Sequence, residues 1–295
     1  MDYRDSVFIS VAENLSFSKA ANDLHISQPA ITRHIKELEE RYKTTLFERK
    51  GNKIYLTTAG EKVYHAFKKI SQQYRNLDFE IGQLHHNFSG EFKLGASSTI
   101  SQYVIPKIIA SFHKRYPQIQ IYLLNGNSFE MENLLLDNKI DLALVENQST
   151  QSGVQYTNFL DDELIIVTGK NSVYAKHDTI SLQDLTQIPI VLREQGSGTL
   201  EVIQHTLKKQ NIHFEQLNTL IHLGSTESIK NFLQDFDGLA IVSEKAVQNE
   251  LYLQTLVKIK IVGFSISRKF RIAYKQGHKS KQVELFENFL VNYNI

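Results

Sequence analysis

The chain has 295 residues, of which 41% are hydrophobic and 22% charged, with a formal net charge of +1, a composition that suits two or three globular domains with a substantial core. No cysteine is present, which excludes disulfides, thiolate metal sites and cysteine nucleophiles. The charge balance neither demands nor excludes nucleic acid, because a neutral domain can dilute a small DNA-binding one.

The opening Met1-Asp2-Tyr3-Arg4-Asp5 lacks a signal-peptide pattern, and no apolar run approaches the roughly 20 residues that cross a bilayer, so a cytoplasmic protein is expected. Between residues 16 and 41, Phe17, Ala20, Ala21 and Leu24 recur at helical spacing. After a break at His25-Ile26, Ser27 offers an N-cap and Pro29 falls in a first turn, where its missing N–H costs nothing. Ala30, Ile31, Ile35 and Leu38 carry the apolar stripe on to about Tyr42. Two helices joined so tightly, with small residues at the corner, follow the helix-turn-helix plan. The second exposes Ser27, Gln28, Thr32, Arg33 and Lys36, residue types that read base edges and phosphates; an αα-hairpin with a polar outer face is the alternative.

Leu46 to Leu56 reads as a hairpin around Gly51-Asn52, with Arg49, Lys50 and Lys53 at its tip. A basic hairpin after a helix-turn-helix is a wing whose charges suit phosphates; alone, it would be a solvated turn. Thr58 and Glu61 form a capping-box pattern. Val63, Phe67, Ile70, Tyr74, Leu77, Ile81 and Leu84 then follow at alternating spacings of about four and three, a heptad seam on one helix of roughly 40 Å. Self-pairing into a dimer is the expected use of the seam, with packing onto its own domain as the alternative.

The run from Ser16 through Ser27-Gln28-Pro29-Ala30-Ile31-Thr32-Arg33 and Leu46-Phe47-Glu48-Arg49 to Leu56-Thr57-Thr58-Ala59-Gly60 resembles the N-terminal signature of LysR-type transcription regulators. The resemblance implies that Ser27, Gln28, Pro29, Thr32 and Arg33 begin a recognition helix, with the wing role on Arg49, Lys50 and Lys53. His34 stands where the family often has Gln, a change that would bear on base preference.

From about Gly90, short apolar runs alternate with helical stretches: Phe92–Ala96, Ile105–Tyr116, Ile119–Leu124, Phe129–Asp137 and Ile140–Val145, then Glu163–Thr168, Ile188–Leu192, Thr199–Gln210, Leu239–Val242 and Phe270–Tyr274, closed by a helix from about Lys279. This βα alternation predicts a mostly parallel sheet, covered on both faces, that binds ligands at its strand ends. Three loops there place hydroxyls and free N–H groups at helix starts: Ser97-Ser98-Thr99, Arg193 to Thr199, and Gly224-Ser225-Thr226-Glu227. They suit a small anion, or simply cap their helices.

The resemblance extends here through landmarks such as Asp141-Leu142-Ala143-Leu144 and Gly238-Leu239-Ala240-Ile241-Val242-Ser243. It implies an α/β multidomain protein: a winged helix-turn-helix (1–58), a linker and dimerisation helix (59–89), and a domain similar to the periplasmic binding proteins (90–295). That last domain divides into lobe I (90–161 and 267–295) and lobe II (162–266). It gives Ser98 and Thr99 to the effector, and the loop reading adds Arg193, Ser197, Thr199, Ser225 and Thr226; no cofactor is expected. The 193–199 segment resembles a sub-group tied to carbon or sulfur assimilation, and hints at an anionic metabolite.

His85-His86 and Asp161-Asp162-Glu163 read as solvated linker and turn rather than metal sites. No P-loop, dinucleotide fingerprint or hydrolase elbow is found. The function expected is a non-enzymatic transcription regulator. By resemblance it would act as a homodimer or homotetramer on an inverted-repeat operator, in contact with RNA polymerase. The alternatives are an enzyme or solute-binding protein with an accessory N-terminal domain, and a DNA-binding protein whose second domain only assembles.

Overall fold

The computed structural model describes residues 1–51, 53–84, 88–277 and 279–293, with only the backbone of Gln83 and Leu84, in two compact units, Met1–Asn87 and Phe88–Ile295. His85, His86 and Asn52 lie outside the described residues.

The first unit opens with α1 (Tyr3–Asn14), α2 (Phe17–Asp23) and α3 (Gln28–Tyr42). Ser16 and Ser27 cap α2 and α3, accepting hydrogen bonds from the N–H groups of Lys19 and Ala30. Buried Ala20 and Ala21 let the helices approach closely around a core of Val7, Phe8, Val11, Ile31, Ile35 and Leu38. The hairpin is β1 (Phe47–Lys50) with β2 (Lys53–Leu56), in register from Phe47↔Leu56 to Lys50↔Lys53. Gly51 takes φ +63° at the turn, a conformation that suits glycine.

Next comes α4 (Thr58–Leu84). Its N-cap is Thr57 rather than Thr58: the Thr57 hydroxyl accepts from Gly60 N–H at 3.0 Å and donates to Thr45 C=O at 2.8 Å. The capping position lies one residue earlier because this threonine must also tie the helix to the chain entering the hairpin. A Cβ on Gly60 would lie 2.1 Å from the Leu46 carbonyl oxygen, so only glycine fits there. Phe67 is buried edge-on to Phe8 at 5.7 Å, which makes the first turns of α4 part of the N-terminal core. Burial of such a ring stabilises by about 1.5–3 kcal/mol.

The second unit runs β3 (Gly90–Ser97), a π-type turn (Ile100–Val104), α5 (Ile105–Arg115), β4 (Ile119–Gly126), α6 (Ser128–Leu136), β5 (Leu142–Val145), β6 (Val154–Gly169), β7 (Thr179–Ile180), β8 (Ile190–Arg193), α7 (Gly198–Lys209), β9 (Thr219–Leu223), α8 (Thr226–Phe232), β10 (Leu239–Ser243), α9 (Gln248–Tyr252), β11 (Leu256–Ile261), β12 (Ile266–Lys275) and α10 (Lys281–Val291). The sheet order is β4-β3-β5-β12-β6-β10-β8-β9, with β11 added on β6 and β7 on β11.

Two parallel blocks, β4-β3-β5 and β9-β8-β10, stand at the two ends. Between them β6 and β12 form one long antiparallel ribbon, which pairs with β5 at one end and β10 at the other. The sheet is therefore mixed, where βα alternation predicts a mostly parallel one. Each block has its own apolar core: Met131, Leu135, Ile140 and Val145 in the first, Leu192, Leu200, Ile203 and Leu239 in the second. These are two lobes joined by a crossing ribbon, with the loops after β3, β5, β8 and β10 facing one another.

Candidate functional site

On the first unit, Ser27, Gln28, Pro29, Thr32, Arg33 and Lys36 are all exposed on the N-terminal half of α3. Arg33 is 80% exposed at its side chain and pairs with Glu37 at 3.0 Å; Gln28 accepts from the Ser18 hydroxyl. Arg49, Lys50 and Lys53 are exposed on the hairpin, with Lys50 paired to Glu48. Such ion pairs at the surface hold little free energy and yield readily to phosphate. His34, next along the helix, is half-buried and packs edge-on to Tyr3 of α1 at 5.6 Å. Of the heptad seam, Val63 and Phe67 pack into the N-terminal core, whereas Ile70, Tyr74, Leu77 and Ile81 are exposed in one stripe. The Leu84 side chain lies outside the described residues.

In the second unit a buried network joins the lobes. Glu146, at the end of β5, accepts from the Ser97 hydroxyl (3.1 Å) and from the Thr199 hydroxyl (2.9 Å) at the start of α7. Arg268 of the ribbon donates to Thr199 (2.9 Å) and to Asp162 (2.7 Å), and its second amino group lies 3.4 Å from Glu146. The Ser243 hydroxyl completes the set on Asp162 at 2.7 Å. Burial opposes ionisation of Glu146, but the Arg268 and Arg193 charges and the Thr199 hydrogen bond outweigh it and hold its carboxyl below the ordinary range. For Asp162 burial wins over Arg268 and Ser243, and its pKa is raised.

Around this network stand polar groups with no partner. The hydroxyls of Ser98 and Ser197 and the Nη1 of Arg193 are buried and unbonded. The rest of the Arg193 guanidinium is held by Glu194 at 2.8 and 3.0 Å and by Gly224 C=O. Ser197 precedes α7 in N-cap geometry yet makes no capping bond. Ser225, by contrast, caps α8 by accepting from Ser228 N–H at 3.1 Å, so its hydroxyl is spent, and Thr226 is buried behind it. A helix-capping reading therefore holds for the Ser225 loop and fails for the Ser197 loop.

The lobes touch on both flanks of these groups. A Cβ on Gly198 would lie 2.5 Å from Asn147 N, so glycine lets α7 abut the end of β5. Glu201 of α7 accepts from the N–H groups of Gln148 and Ser149 at 2.9 and 2.7 Å. On the other flank the Tyr103 hydroxyl donates to Glu227, whose carboxylate also pairs with Lys230. Among the described residues there is no cluster of three or more His, Cys, Asp or Glu able to hold a metal ion, and no helix is long and apolar enough to cross a membrane.

Residues 6–61 match the model of the bacterial regulatory helix-turn-helix proteins of the lysR family, and residues 85–294 match the LysR substrate binding domain. The chain belongs to the LysR family. It is 29% identical over 279 residues (94% of this chain, 92% of the relative) to the HTH-type transcriptional regulator CysL of Bacillus subtilis (strain 168). It is 31% identical over 290 residues (96% and 94%) to a probable RuBisCO transcriptional regulator of Thalassiosira pseudonana. Among solved structures, full-length CbnR complexed with its target DNA aligns with a TM-score of 0.68 at 19% identity, covering 98% of this chain and 99% of that one. The Synechocystis PCC6803 CcmR regulatory domain in complex with 2-PG aligns at 0.62 and 24% identity, covering 69% and 96%.

As a LysR-type regulator, the protein is a DNA-binding transcription regulator with an effector-binding domain, and not an enzyme. Sequence reasoning overlooked the centre of that domain's network. Asp162, read as part of a solvated turn, is buried against Arg268. Glu146, Arg268 and Tyr103 attracted no attention, because an isolated charge or phenol in a strand or loop carries no local signature. A clue was available for Glu146: a carboxylate directly following the apolar run Leu142–Val145 must be buried or paired.

Proposed function

We propose that this LysR-type regulator binds its operator through the N-terminal half of α3 and the β1–β2 hairpin, and binds a small metabolite bearing one compact anionic group between its lobes. The division into residues 1–58, 59–89 and 90–295, with lobes at 90–161 plus 267–295 and at 162–266, belongs to the same proposal. The observation that carries the effector reading is the unsatisfied set of Ser98, Ser197 and Arg193 Nη1, all buried at facing loops. Buried donors are normally paired, and a bound anion would pair these. Thr99 and Thr199 stand beside them, and the free N–H groups at the start of α7 add a favourable dipole end. Arg193 and Arg268 are already balanced by Glu194, Glu146 and Asp162, so local donors rather than a surplus of charge would select the ligand.

Effector affinity would differ between lobe arrangements, because the ligand touches both lobes. The exposed stripe from Ile70 to Ile81 would pair with a second copy, giving a homodimer or homotetramer on an inverted repeat, in the cytoplasm and in contact with RNA polymerase. Thermal shift with sulfate, phosphate and acetate tests the effector reading. At least one anion should raise the melting temperature of the wild type, and Ser98→Ala with Ser197→Ala should remove that rise. An equal rise in the double variant would contradict it.

A further inference from the structure

A cavity of about 900 Å³ opens beside the ribbon; Asp162 and Arg268 border it, but none of the serines, threonines or Arg193 discussed above does. Its floor is one face of the crossing ribbon. The register Arg271↔Asn158, Lys269↔Asp161 and Ser267↔Glu163 places these side chains together, and the intervening pair Arg268↔Asp162 borders the cavity as well as meeting Thr199 and Glu146. The bulge lies on β6, where Phe159 is the extra residue, so Asn158 rather than Phe159 stands opposite Arg271 and joins Asp161 on this face. Asn147 and Gln148 border the cavity from one lobe, Lys245 and Gln248 from the other.

The charges around the cavity are paired except at three positions. Lys269 is bonded to Asp161, and Glu244 to Lys258. Among the described residues, Arg271, Lys245 and Glu163 have no ion-pair partner. Arg271 is 8% exposed and is held only by neutral oxygens, those of Asn147, Gln148 and Ser149, and by the Tyr156 ring; its Nε is buried without an acceptor. The Glu132 and Glu201 carboxylates act on its charge without bonding to it, which leaves a direct carboxylate partner open. Two unpaired cations and one unpaired carboxylate complement a ligand with two carboxylates and one ammonium group.

We infer that this ribbon cavity is a ligand site, sharing Arg268 and Asp162 with the cleft network but none of the Ser98, Ser197 and Arg193 groups, that takes an acidic amino acid or a short acidic peptide. One carboxylate sits at Arg271, the other at Lys245, and the ammonium group at Glu163. Since both lobes border the cavity, occupancy is coupled to the lobe arrangement and, through Arg268 and Asp162, to the cleft network.

Titration calorimetry of the full chain tests this, with L-glutamate and with glutarate, which is the same diacid without the ammonium group. The wild type binds L-glutamate at least tenfold tighter than glutarate. Glu163→Gln, a change at an exposed position that leaves the fold intact, abolishes that preference, and Arg271→Lys weakens both ligands tenfold or more. Ser98→Ala with Ser197→Ala leaves binding unchanged. The inference is overturned if neither ligand binds, if glutarate matches L-glutamate on the wild type, if Glu163→Gln keeps the preference, or if the cleft variant eliminates binding.

Discussion

Replacing Arg268 with methionine removes the one cation shared by Glu146 and Asp162 while keeping the volume of its aliphatic stem. Both carboxylates are buried, at 1% and 5% exposure. Stripping one partner from a buried ion pair costs about 3–5 kcal/mol, because the remaining charge is left uncompensated. For a domain of this size each kcal/mol lowers the melting temperature by about 2–4 °C, so the Phe88–Ile295 transition should fall by roughly 6–20 °C. The loss should depend on pH. In the wild type Glu146 is held below its ordinary value of 4.5 and therefore contributes stability above that pH. Without Arg268 both carboxyls titrate above their ordinary values in the folded state, so the variant loses stability as pH rises. The gap between wild type and variant is then wider at pH 8 than at pH 5. Calorimetry at the two pH values measures it, and adding Glu146→Gln and Asp162→Asn to Arg268→Met should recover most of the loss. A decrease under about 2 °C, or one independent of pH, would refute the claim that Arg268 neutralises this pair.

Gly60→Ala would drive a methyl group into the Leu46 carbonyl at 2.1 Å, and should lower N-terminal domain stability by about 2–3 kcal/mol in denaturant melts. Burial outweighs the Asn147 and Tyr156 hydrogen bonds and pushes the Glu132 carboxyl above its ordinary value of 4.5. The folded state therefore holds its proton longer, and stability declines as pH rises through that raised value. Glu132→Gln keeps an acceptor for Asn147 and Tyr156, and should flatten this part of the pH–stability curve; an unchanged slope would count against it. Leu77→Glu, at a residue 51% exposed on the α4 stripe, should convert a dimer to monomer in sedimentation without unfolding the chain. An undiminished dimer would place the interface elsewhere.

Local chemistry made the first unit readable. Its caps at Ser16 and Ser27, its alanine corner and its glycine turn each act within a few residues, and each appears in the sequence at the place where it works. The βα alternation likewise exposed most of both lobes. The ribbon was harder to see, because only the half of β6 from Leu164 onward is buried on both faces, while Val154–Asp161 alternates with solvent and reads as loop. Edge strand β9 leaves Leu220 56% exposed and carries no core signal. The site behaved in the same way. Ser98, Arg193, Ser197 and Thr199 stood out as hydroxyls and an arginine in turns, but their partners Glu146 and Arg268 come from positions far away in sequence, and only the fold brings them together. Ser197 and Ser225 look alike in sequence, and they differ only in whether the hydroxyl finds a backbone N–H to cap.

The most direct test of the account is the affinity of the full chain for the intergenic DNA beside its own gene, measured at about 50 mM and 200 mM salt for the wild type and Arg33→Ala. The account predicts binding that falls steeply with salt and weakens roughly tenfold or more when Arg33 is lost from the exposed face of α3. Binding by Arg33→Ala equal to wild type at both salt concentrations, or wild-type binding indifferent to salt, would contradict the placement of the DNA interface on α3 and its hairpin.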